Sequence, residues 1–125
     1  MFGWDWTRVV WNRVCAATPP ADALDGDRHL WAVVDIFTAI SADGTASTVE
    51  QRTAEDLERA AAAHDYFALP HLGEWIRRLP ERAFVTEYSV LLREYTSMIV
   101  VDEREVLWDA MERRLVERPN DFKQT

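Results

Sequence analysis

Apolar residues recur at three- and four-residue intervals along almost the whole chain, which is the spacing of one face of an α-helix. Trp6, Val10, Val14 and Ala17 form the first stripe and predict a helix from Trp4 or Asp5 to about Ala17. Thr18-Pro19-Pro20 ends it, because a proline disfavours helix at the residue before it. A polar loop over residues 18–27 follows. Leu30, Val33, Val34, Phe37 and Ile40 predict a second helix over Arg28–Ile40, with Asp27 as its N-cap and a turn at Ser41–Gly44. Ser47 with Glu50 reads as a capping box for a third helix reaching about His64, and Thr53 offers it a second start. Leu69, Leu72, Ile76 and Leu79 mark a short helix that opens at Pro70 and stops at Pro80. The longest stripe is Phe84, Tyr88, Leu91, Leu92, Tyr95, Met98 and Ile99, and it predicts a helix opening at Pro80-Glu81 with all seven in the core. Asp102 with Glu105 reads as a capping box for a last helix ending near Glu117. The expected fold is all-α, one compact domain over residues 1–125 with about six helices.

A chain of 125 residues that is 48% hydrophobic, with six tryptophans, has material for a core without disulfides or metal. Cys15 is the only cysteine, so it forms no intramolecular disulfide, and it reads as a small core residue. No apolar run approaches the ~18–20 residues of a membrane span. The stretch Met1–Trp11 contains Asp5 and Arg8 and does not read as a signal peptide, so the expected compartment is the bacterial cytoplasm. Twenty-two acidic side chains stand against 14 basic ones, a formal charge of −8. Such a body is repelled by nucleic-acid phosphates and by anionic membranes. It is attracted to a basic protein surface.

The carboxylates show a pattern of their own. Asp102, Glu105, Asp109 and Glu112 fall at i, i+3, i+7 and i+10, which places four of them on one side of the predicted last helix. Glu55 and Glu58, with Asp56 between them, form a second group. These residues are the candidate partner-binding surface, with Trp4, Trp6 and Trp108 as candidate aromatic anchors. An alternative of a different class is a helical enzyme or metal-binding domain. His71 and Glu74 lie at i, i+3, and His64 lies just upstream. A calcium loop centred on Gly44 fails because its first ligand position falls on Ala39, which has no side-chain oxygen. The four glycines are scattered and no serine sits in a nucleophile elbow, so no catalytic residue and no cofactor is assigned.

Three segments resemble the bacterial DNA-mimic proteins of the neisserial type. Leu30–Phe37 precedes Ala39–Gly44, Ala60–Phe67 precedes Leu72–Leu79, and Leu107–Leu115 precedes Pro119–Phe122. The likeness covers Leu30–Phe122, and Ile40 and Gly44 echo the turn of that family. The resemblance implies a small acidic helical protein that occupies the DNA-binding surface of another protein, with carboxylates standing in for phosphates. The expected function is therefore a non-enzymatic, DNA-mimic or immunity-type role toward a basic partner, either a DNA-binding regulator or a nuclease toxin. A homodimer stays open.

Overall fold

A computed structural model describes residues 4–123, with the side chains of residues 4 and 5 outside the described part. The chain folds as expected into an all-α domain, with seven helices among the described residues. They are α1 (Trp4–Ala16), α2 (Asp25–Asp43), α3 (Thr45–Glu50), α4 (Ala54–Tyr66), α5 (Pro70–Arg82), α6 (Tyr88–Ile99) and α7 (Val106–Glu117). A two-stranded hairpin, β1 (Val100–Val101) and β2 (Arg104–Glu105), links α6 to α7, and a 3₁₀ turn covers Pro119–Asp121. No helix among the described residues is long and apolar enough to cross a membrane.

Several boundaries differ from those the sequence suggests, each for a local reason. Helix α2 begins at Asp25, so Asp27 lies inside its first turn instead of capping it. Gly44, at φ 88°, is the single-residue joint between α2 and α3, a backbone setting that suits glycine. The capping box forms at Thr53 and Asp56, where each accepts a hydrogen bond from the other's backbone N–H. Pro80 sits inside α5 near its end, where its missing N–H costs only one helical hydrogen bond. The break falls later, at residues 83–87. There the Arg82 carbonyl accepts from the Val85 and Thr86 N–H groups. Asp102 and Glu103, at φ 53° and 64°, are the two central residues of the tight hairpin turn, a position that needs positive φ. Cys15 is exposed, because the Val10–Val14 stripe turns it outward.

The core has two parts that share α2 and α4. Ile36, Ile40, Leu57, Ala61, Leu72, Ile76, Leu79, Leu91 and Tyr95 fill one, which joins α2 and α4 to α5 and α6. Val10, Val14, Leu30, Val33, Ala63, Phe67, Met111, Leu115 and Phe122 fill the other, which joins them to α1, α7 and the C-terminal turn. Charged groups close the second part. The Asp27 carboxylate, almost wholly buried, accepts from the Arg13 guanidinium at 2.7 Å and from the Lys123 backbone N–H at 2.9 Å. The Tyr66 hydroxyl donates to Asp121 at 2.7 Å. Phe122 is fully buried against Gly26, where an added Cβ would meet its ring at 2.7 Å. The first part is held by Glu94, which accepts from the Trp75 indole N–H at 3.0 Å and from Arg82 Nη1 and Nη2 at 2.6 and 2.8 Å.

Candidate functional site

The six carboxylates singled out by spacing lie on α4, on α7 and in the hairpin before it, and two of them, Asp102 and Asp109, line one groove with Arg104 and Arg113. Asp102 lies at the hairpin tip, and Glu105 precedes α7 with no side-chain capping bond, so the predicted row of four along one helix is not built. Asp109 pairs with Arg104 at 3.0 Å, and Glu112 accepts from the Trp108 indole N–H at 2.7 Å. Glu55 pairs with Arg59 at 3.1 Å and Glu58 with Arg77 at 3.0 Å. Asp102 and Glu105 make no ion pair with a described residue, while across the described residues eleven ion pairs engage nine arginines and eleven carboxylates. The expected aromatic anchors are placed differently too. Trp6 and Trp108 are half-buried against the second core, with Trp108 tilted on Trp11 at 5.5 Å. The side chain of Trp4 lies outside the described residues.

The alternative metal set is not assembled. His64 is fully buried, and its Nδ1 lies 2.7 Å from the Ala60 carbonyl oxygen, to which it donates. Burial pushes its pKa below the usual imidazole value. His71 is exposed, and Glu74 is paired with Arg78 at 3.0 Å. Among the described residues no three histidine, cysteine or acidic side chains are grouped to hold a metal ion.

The corner between α5 and α6 is a different kind of surface. Phe84 is 60% exposed, Val85 82% and Tyr88 44%, all within five residues of chain. The sequence stripe assigned Phe84 and Tyr88 to the core. The break at residues 83–87 instead leaves Phe84 outside any helix and puts Tyr88 on the first turn of α6. The Tyr88 ring lies near Gly44, 3.6 Å from where a Cβ would stand. It forms one wall of a groove of about 360 Å³ lined by Asp43, Gly44, Ala46, Ser47 and Ala83. Asp43, Glu81 and Glu87 lie on or beside this corner, and none of the three makes an ion pair with a described residue. Elsewhere, Val9, Leu24, Val90 and Val116 are exposed one at a time and Val100 and Val101 as a pair in the hairpin, and none of them is aromatic. Compared with known proteins, the chain matches no family model, no curated protein and no solved structure.

Proposed function

We propose that the chain is a non-enzymatic interaction protein that binds a basic partner protein through the α5–α6 corner. The observation that carries this reading is the coincidence of Phe84, Val85 and Tyr88 in water with the unpaired carboxylates of Asp43, Glu81 and Glu87. Leaving a phenylalanine or valine side chain in water forgoes roughly 1.5–3 kcal/mol of burial free energy each. Contiguous exposed apolar side chains rimmed by charge are the ordinary make-up of a protein interface. Unpaired carboxylates at the rim select a positive partner and speed the encounter. The reading keeps from the DNA-mimic resemblance the acidic body and the basic partner, a DNA-binding regulator or a nuclease toxin. It places contact at one apolar corner in place of a phosphate-like row.

The test is affinity capture from a bacterial lysate at low salt. The intact chain is compared with a Phe84→Ser/Val85→Ser double variant. A basic protein retained by the first, lost from the second and released by raised salt is the expected result. Retention of the same proteins by both baits, or of acidic proteins only, defeats the proposal.

A further inference from the structure

We infer that the groove beside Tyr88 is a slot for an arginine side chain of that basic partner, an assignment that rests on the docking reading above. Two independent features converge on a guanidinium. The groove has an aromatic wall, Tyr88, over which a planar cation stacks. It has a carboxylate, Asp43, with no ion pair to a described residue. The groove lies at the joint where α2 ends and α3 begins, and the last turn of α2 carries no basic side chain to occupy Asp43. An incoming guanidinium pairs with that carboxylate. The remaining lining, Ala42, Gly44, Thr45, Ala46, Ser47 and Ala83, is small, which leaves room for a long side chain to lie along the floor. Arginine fits better than lysine. Its planar fork of donors pairs with a carboxylate in two-point fashion while its flat face covers the ring. Phe84 and Val85, next to this slot in the chain, then meet the apolar neighbours of that arginine.

The test uses a blocked glycine-arginine-glycine tripeptide, titrated into the intact ¹⁵N-labelled chain at low ionic strength. Its citrulline and lysine counterparts are run beside it. Expected are amide shifts concentrated at Asp43–Ser47 and Tyr88, and ring-to-methylene NOEs at Tyr88. The citrulline peptide binds at least tenfold more weakly and the lysine peptide at least threefold more weakly. Asp43→Asn weakens the arginine peptide at least fivefold. Asp43 is exposed and makes no ion pair with a described residue, so that variant keeps the fold. Shifts scattered over the acidic surface, equal binding of the citrulline or lysine peptide, or indifference to Asp43→Asn overturns the inference. The two proposals fail separately. If a basic partner is captured equally well by Asp43→Asn yet lost from Phe84→Ser/Val85→Ser, the slot is wrong and the docking corner stands.

Discussion

The C-terminal turn and the α5–α6 corner are both short segments following a helix, and both carry a phenylalanine and nearby carboxylates. They treat them in opposite ways. At the C-terminal turn Phe122 is wholly buried, Asp27 is bound by Arg13 and the Lys123 N–H, and Asp121 accepts from Tyr66. At the corner Phe84 stands in water and Asp43, Glu81 and Glu87 have no ion partner among the described residues. The same residue types are satisfied internally in one place and left available in the other. Where a small domain pairs many of its carboxylates with arginines, the unpaired ones beside exposed aromatics are the informative ones. Net charge alone is a poor guide to the site, because eleven of the 22 acidic side chains are matched by arginines at short range.

The comparison breaks first if the C-terminal turn is not structural. Phe122→Ala should destabilise the chain by about 3–5 kcal/mol, the range for emptying a buried phenylalanine site. Denaturant unfolding measures this, and a loss under about 1 kcal/mol would mean that the turn does not close the second core. Asp27→Asn should cost less, about 1–3 kcal/mol. It weakens two charge-assisted hydrogen bonds while Arg13 keeps some access to water. Both variants should bind the basic partner normally once folded, since neither residue is near the corner.

Acid sharpens the contrast on the other side. Donation from Arg82 and then from Trp75 holds the Glu94 carboxyl down at about 2. Its ionised form therefore favours the folded state. The contribution is complete above the ordinary glutamate value of about 4.3 and is lost as pH falls toward about 2. Glu94→Gln should lower stability at neutral pH and flatten the fall over that acid window. An unchanged stability-versus-pH curve in the variant would remove Glu94 from the account of how α5 and α6 are held. The His64 imidazole adds a second limb of the same sign. Its pKa is lowered by burial, so its neutral form favours folding, and that support weakens as pH drops below about 6.5.

Much of the fold follows from period alone. The stripes on α1, α2, α4 and α5 name residues that are in fact buried: Val10 and Val14, Leu30, Val33 and Ile40, Leu57 and Ala61, Leu72, Ile76 and Leu79. Pairs three or four residues apart, such as Glu55 or Asp56 with Arg59 and Glu74 with Arg78, are equally legible. What the sequence hides is tertiary. Arg77 reaching Glu58 and Asp65, or Arg82 reaching Glu94, depends on which helices meet. The Asp102-Glu103 turn is hidden for a local reason. Neither residue is a usual choice for positive φ, so Asp102 with Glu105 imitates a helix cap instead. The corner is missed because Phe84 and Tyr88 continue the period of the stripe below them across a real break. Val85-Thr86 was the one warning, since adjacent β-branched residues weaken a helix. Asp43 and Gly44 are visible in the sequence as a turn, yet nothing local sets Tyr88 beside them.

The smallest expected effect is the one that separates the two regions most cleanly. Phe84→Ser/Val85→Ser should change stability by no more than about 0.5 kcal/mol, because both side chains are already in water and their removal empties no cavity. Replacing two exposed apolar groups by hydroxyls should also raise solubility. A phenylalanine lost at Phe122 and one lost at Phe84 thus differ by several kcal/mol in folding free energy, with the costs reversed in partner binding. If the corner variant proved as damaging to the fold as Phe122→Ala, Phe84 would be packed in solution, and the exposed apolar face on which the docking reading depends would not exist.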